Sequence, residues 1–239
     1  MAQSSGGRTI SLIDSLADGT LVFGYGDTAT NEGPIDLLGL DPDTSTWSVL
    51  YNDMPTEAIR TGRTIDGWLW VPSIDPSGTT EGTLLTNNPA GTWRLAEASV
   101  SGIGPAVHLF DVAGAGSTVY TCGVRKVSVA EGNAGAADYG AAIIRSTTNG
   151  GTTFTENLVY LGTGTDPGNH FAEFLDTDAG LVVNSADGLY HWTLTAGTWV
   201  QGSGNITPPT SEWAQGWTGA HVGGLTYVCN GATVYRTIT

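Results

Sequence analysis

Four short hairpins in this chain close on the same pair of residues, a threonine followed by an aromatic ring. Thr46-Trp47 follows Asp-Pro-Asp-Thr-Ser, and Thr92-Trp93 follows Asn-Asn-Pro-Ala-Gly. Thr153-Phe154 follows Asn149-Gly150-Gly151-Thr152, and Thr198-Trp199 follows Thr-Ala-Gly. The rings stand at 47, 93, 154 and 199, in steps of 46, 61 and 45. Asn-Gly-Gly is a tight-turn signal, because such a turn needs residues that accept positive φ. A second register runs upstream of the first, in Asp18-Gly19, Asp66-Gly67, Gly114-Ala115-Gly116, Asp178-Ala179-Gly180 and Gly223-Gly224. The last glycines of that series are 48, 49, 64 and 44 apart, and the long step falls in the same unit in both registers. Two registers on one period, with one insertion, define an internal repeat.

Each unit reads as four strands. The first has Thr9–Leu16, Leu21–Gly26, Ile35–Leu40 and Trp47–Tyr51; the second Glu57–Ile65, Trp68–Ser73, Thr83–Thr86 and Trp93–Ala96. The third has Val107–Val112, Val119–Val124, Ala141–Ser146 and Thr153–Val159; the fourth His170–Leu175, Leu181–Asn184, Leu189–Leu194 and Trp199–Gln201. The fifth has only Trp213–Ala220, Leu225–Cys229 and Thr233–Ile238. The insertion of the third unit is the Gly-rich, polar segment Lys126–Gly140, which reads as a surface loop.

Four-stranded units at this spacing are the signature of a β-propeller. One sheet cannot bury both of its faces alone; sheets packed radially bury them against each other, and closure of the ring limits exposed edges. The expected fold is therefore all-β, a five-bladed β-propeller of mostly four-stranded antiparallel blades. It forms one domain over 1–239, with blades at about 8–54, 56–100, 105–161, 168–204 and 211–239. The strand missing from the fifth unit is expected from Met1–Arg8, closing the ring; otherwise that blade has three strands. A two-sheet sandwich is the competing architecture, and it would not require the repeat.

Composition agrees. Gly is 35 of 239 residues and charged residues are 13%, against about 7% and about 25% in ordinary domains. Many turns and few charged helix faces are what β structure requires. The net charge of −15, with Lys126 the one lysine, repels a phosphate backbone and an anionic membrane surface. Nucleic acid is therefore not an expected partner. Two cysteines, Cys122 and Cys229, fit neither a zinc motif nor a disulfide framework. The N-terminus shows no charged-then-apolar signal region, and no apolar run approaches the roughly 18 residues of a membrane span.

Thr147–Phe154, T-T-N-G-G-T-T-F, resembles the Asp-box, or BNR repeat, of sialidase-type propellers. That motif runs Ser, any, Asp, any, Gly, any, Thr, Trp. Thr147, Asn149 and Phe154 replace its Ser, Asp and Trp, while Gly151 and Thr153 match. The copy at Thr86–Trp93 keeps Thr92-Trp93 but has Asn88 and Ala90 at the Asp and Gly places. Leu40–Trp47 looks closer to kelch-type hairpins. The resemblance covers turns, so it implies the fold and a structural turn at the blade periphery. It carries over no sialidase activity, which needs an arginine cluster; only Arg60 and Arg63 fall on an expected inner strand. The whole chain also looks like the small Gly/Thr/Trp-rich propeller proteins among the tail genes of actinobacteriophages. That likeness implies a non-enzymatic virion component, a phage minor tail protein located in the virion. Its implied partners are other tail proteins and host cell-surface glycans, and a homo-oligomer is compatible with it.

The alternative function is a glycan-binding lectin or a glycoside hydrolase at the propeller channel mouth, in an extracellular or a cytoplasmic setting. Ten residues before each turn glycine stand Thr9, Glu57, Ala106, His170 and Ala214, with His108, Glu173 and Glu212 nearby. Glu57, Glu212 and His170 could converge there as acid and base on a glycosidic bond, or as a polar channel lining. Trp213 and Trp217 stand beside Glu212 and on either side of Gln215, and with Trp68 and Trp70 they are candidates for stacking on a sugar's apolar face; blade-to-blade packing is the competing role. Asp41-Pro42-Asp43, Asp75-Pro76 and Asp166-Pro167 read as Asx turns rather than Ca²⁺ loops, because none has the full ligand spacing. No cofactor and no metal is expected.

Overall fold

Left-handed backbone fixes where the strands reverse. In the computed structural model Gly19, Gly67, Gly116 and Gly197 stand at φ 87°, 75°, 60° and 80°. Side chains disfavour this region, so glycine there sets the hairpin. Asp66 and Ala196, both at φ 50°, precede Gly67 and Gly197 and complete two-residue turns of the primed type. The structure describes residues 8–27, 35–54, 61–72, 82–87, 92–97, 107–127, 139–161, 170–176, 179–184, 188–206, 218–222, 225–230 and 233–236.

Among the described residues the strands form five antiparallel sheets, each strand paired with its neighbour in sequence. The first sheet holds β1 (Arg8–Ser15), β2 (Leu21–Asp27), β3 (Ile35–Asp41) and β4 (Thr46–Met54). The second holds β5 (Arg63–Ile65), β6 (Trp68–Pro72), β7 (Gly82–Thr86) and β8 (Arg94–Glu97). The third holds β9 (Val107–Ala115), β10 (Thr118–Lys126), β11 (Tyr139–Thr147) and β12 (Thr155–Tyr160). The fourth holds β13 (His170–Leu175), β14 (Ala179–Asn184), β15 (Gly188–Thr195) and β16 (Thr198–Ile206); the fifth has β17 (Thr218–Val222), β18 (Leu225–Asn230) and β19 (Thr233–Arg236). The chain divides into two compact units, Met1–Val112 and Ala113–Thr239, with the division inside β9.

In the first unit, period-2 alternation buries Val22 and Leu37 on one face of the first sheet, where they join Leu69 and Val71 of β6. Leu16, Leu50, Tyr51 and Trp93 surround them. Gly39 lies on the same face; a side chain there would begin 3.0 Å from Leu50 Cδ2 and Ser48 Oγ. In the second unit Cys122, Ala142, Ile144, Leu158 and Tyr160 pack on Ala172, Leu175, Trp192 and Trp199. Rings interlock edge to face here, Tyr160 with Trp192 at 5.7 Å and Tyr120 with Trp199 at 6.1 Å.

Among the described residues the sheets are five meanders rather than the two sheets of a sandwich. Several expected boundaries move. Strands β8 and β12 open after Trp93 and Phe154 rather than on or before them, because neither residue of the pair joins the ladder. Gly180 is not a turn residue: it lies in β14, paired with Leu175. Strand β5 is short, and Glu57–Arg60 lie outside the described residues, as do Gly223-Gly224 and most of the Lys126–Gly140 insertion. Of the expected closing segment Met1–Arg8, residues 1–7 lie outside the described residues, and Arg8 opens β1 opposite Asp27. Among the described residues the fifth sheet has three strands, and no helix is long and apolar enough to cross a membrane.

Candidate functional site

Among the described residues, polar side chains gather in three places that bear on a site. The first is the set of strands that opens the first three sheets. Asp14 of β1 accepts a hydrogen bond from the Thr64 backbone N–H of β5 through Oδ2. From the other side, Arg63 Nη2 donates to Asp111 Oδ2 of β9 at 3.4 Å. Asp111 is buried, and its Oδ1 accepts from Val112 N at 2.8 Å. Asp14 and Asp111 each stand five residues before the turn glycine of their unit, so the repeat supplies both carboxylates. The short β5 is held between them.

The second place is the third sheet. Arg125 and Arg145 are both buried, and Glu156 stands opposite Arg145 in the ladder. Arg125 Nε lies 3.4 Å from Glu156 Oε1, and its Nη1 donates to the Lys126 carbonyl at 2.8 Å. Burial pulls the Arg145 guanidinium below its ordinary range; Glu156 opposes that shift and Arg125 adds to it. Arg145 also lies over the Phe154 ring, 5.4 Å from its centroid. The adjoining turn is tied by its own side chains. Asn149 Oδ1 accepts from Thr152 N at 3.1 Å and Thr153 N at 3.0 Å, and Asn149 Nδ2 donates to Thr153 Oγ1 at 2.8 Å. Gly151 N donates to Thr147 Oγ1 at 3.0 Å. Thr86, which like Thr147 stands six residues before the hairpin threonine, donates to the Thr92 carbonyl at 2.9 Å.

The third place is the β3–β4 hairpin. Asp41 accepts from Asp43 N at 2.9 Å, Thr44 N at 3.3 Å and Thr44 Oγ1 at 2.7 Å. The Thr44 hydroxyl, then its N–H and that of Asp43, hold the Asp41 carboxyl below its ordinary range. This is Asx-turn chemistry, and it uses the oxygens a cation would need. Just beyond the turn, Trp47 is 52% exposed and Val49 61%.

The residues expected at a site scatter differently. Glu57, Glu212, Trp213 and Trp217 lie outside the described residues. His170 is the first residue of β13, opposite Asn184. Trp70 is 3% exposed, so its ring is packed and offers no open face. Trp68 is half-buried, with the Arg94 guanidinium 5.8 Å from its ring centroid. Among the described residues no three His, Cys, Asp or Glu side chains come together to hold a metal. In the sequence Trp47 stands only as a marker of the repeat. Its openness had one trace there, the polar Asp-Pro-Asp-Thr-Ser turn that precedes it in place of a Gly-bearing one.

No family model matches the chain, and no curated protein matches it by sequence. Solved structures do match by fold. An Aleuria aurantia lectin in complex with Fucα1-6GlcNAc aligns over 93% of this chain and 71% of its own, at 10% identity and a TM-score of 0.51. A Penicillium chrysogenum α-L-arabinanase complexed with arabinobiose aligns over 97% and 78%, at 9% identity and a TM-score of 0.50. An oligogalacturonate lyase in complex with manganese aligns over 79% of this chain at 12% identity and a TM-score of 0.49; the chain spans about half of it, 51%. The lectin and the arabinanase are β-propeller proteins, and this chain is all-β, built of antiparallel sheets, with a propeller-type fold. At these identities the likeness concerns the fold; function rests on sites.

Proposed function

We infer that this chain is a five-bladed β-propeller that binds carbohydrate, a lectin-type module. The observation that carries the reading is the near full-length likeness to two propellers captured with sugars, Fucα1-6GlcNAc and arabinobiose. The five meander sheets on one repeat support the blade number. The acidic surface favours neutral sugars over anionic ones, since a net charge of −15 repels carboxylates and sulfates at low salt. A rigid ring suits binding, because loops carried on a stiff scaffold lose little entropy when a ligand docks. The virion role has no comparable structural observation behind it; a glycan-binding propeller would nonetheless serve a particle at a host surface, and mass spectrometry of purified particles tests that location separately.

A glycan array probed with the intact chain tests the reading. Binding to neutral glycans is the expected result, and no binding to any of them overturns it. Release of reducing sugar from a bound glycan, lost in Glu57→Gln or Glu212→Gln, would turn the lectin reading into a hydrolase one.

A further inference from the structure

The four aromatic residues of the repeat do not share one environment. Trp199 is 5% exposed and meets Tyr120 edge-on. Trp93 is half-buried and meets Tyr51 edge-on, with centroids 5.3 Å apart. Phe154 is half-buried and covered by Arg145. Trp47 differs: about half of it faces water. Its ring is held all the same, because Phe23 lies against it at 5.3 Å with the planes tilted by 44°. The register explains the contact. Phe23 pairs with Leu38, Leu38 with Val49, and Leu40 with Trp47, so these side chains share one face. A tryptophan held against Phe23 and half open to water presents apolar surface to a ligand.

A second observation comes from the turn. Ser45, two residues before Trp47, has φ 55°; Gly197, two residues before Trp199, has φ 80°. Serine thus stands in left-handed backbone where the equivalent hairpin uses glycine, which is a costlier choice. What serine adds is an exposed hydroxyl two residues ahead of the open ring in the chain. Asp43, also exposed at the hairpin tip, adds an acceptor.

We propose that the Trp47 face of the first sheet is a saccharide platform, on which the apolar face of a neutral pyranose stacks while Ser45 and Asp43 bond its hydroxyls. The chemistry selects the ligand class. An exposed indole with hydroxyl and carboxylate neighbours takes a ring that is apolar on one side and rich in hydroxyl donors at its edge. The carboxylate at the tip and the net charge of the chain turn away uronates and sulfated sugars. The proposal rests on the carbohydrate-binding reading and names its site.

The test compares the whole chain with Trp47→Ala, Trp47→Phe and Ser45→Gly on a neutral-glycan array, followed by calorimetry with the strongest free oligosaccharide. Thermal melts verify folding, and Ser45→Gly relieves backbone strain, so it is expected to fold at least as well. Trp47→Ala should weaken binding about tenfold or more, while Trp47→Phe keeps most of it. Ser45→Gly should weaken binding severalfold without lowering the melting temperature. Unchanged affinity in both Trp47→Ala and Ser45→Gly overturns the platform and leaves the carbohydrate reading standing. If the unaltered chain binds no neutral glycan, both readings fall together.

Discussion

Arg63 Nη2 lies 3.4 Å from Asp111 Oδ2, with the carboxylate side chain 7% exposed and the guanidinium 37%. The two ends of the pair are therefore unequal. If Asp111 loses its charge, Arg63 can still turn to water. If Arg63 is lost, a buried carboxylate loses the guanidinium bonded to its Oδ2. Arg63→Met is expected to lower unfolding stability more than Asp111→Asn, by roughly 3 kcal/mol against about 1. Urea denaturation of both variants gives the order, and the reverse order would show that the ion pair is not what holds β5 to β9.

Asp41 predicts a pH effect of definite sign. Its carboxyl sits below the ordinary 3.8 because the Thr44 hydroxyl and the Thr44 and Asp43 N–H groups bond the charged form. A lowered folded-state value means that the stabilisation is present above pH 3.8 and disappears as pH falls through the folded value. In a carbon-detected NMR titration the Asp41 midpoint should fall below 3.8, and the Thr44 amide should shift with the same midpoint. A midpoint at or above 3.8 contradicts the turn geometry.

Asn149 ties its turn through both ends of its amide. Its oxygen accepts from Thr152 N and Thr153 N, and its nitrogen donates to Thr153 Oγ1. Aspartate can keep the accepting role, and Thr153 can then donate its own hydrogen to the carboxylate. Asn149→Asp should therefore be close to neutral, whereas Asn149→Ala leaves turn N–H groups without their acceptor and should cost about 1–2 kcal/mol. Equal melting temperatures for the two variants would count against the bonding.

Hairpin positions were legible in the sequence because left-handed backbone excludes most side chains, and Gly19, Gly67, Gly116 and Gly197 mark it directly. The same logic misplaced Gly180, which pairs with Leu175 inside a ladder; glycine is permitted in a strand as well as in a turn. Burial was less legible. Trp70 and Trp47 each lie in an apolar, strand-like run, yet one is 3% and the other 52% exposed. The difference depends on which sheet covers each face, and that sheet comes from elsewhere in the chain. Arg125 and Arg145 look like surface charges in sequence. Their burial follows from the ladder that sets Glu156 opposite Arg145 and brings Arg125 within reach of it.

Trp47 and Trp199 hold one repeat position in two environments, so one substitution separates folding from surface chemistry. Trp199 packs among Tyr120, Tyr190, Leu194 and the buried residues of its cluster, and Trp199→Ala should cost roughly 3–5 kcal/mol through a cavity that its neighbours cannot fill. Trp47→Ala removes a ring that already faces water over half its area and lies against Phe23. Its cost should stay near 1 kcal/mol, the size of one aromatic pair. Chemical denaturation of both variants measures the gap. Comparable losses would mean that Trp47 is covered in solution, and the open ring on the first sheet would then be a packing surface rather than a place for a ligand.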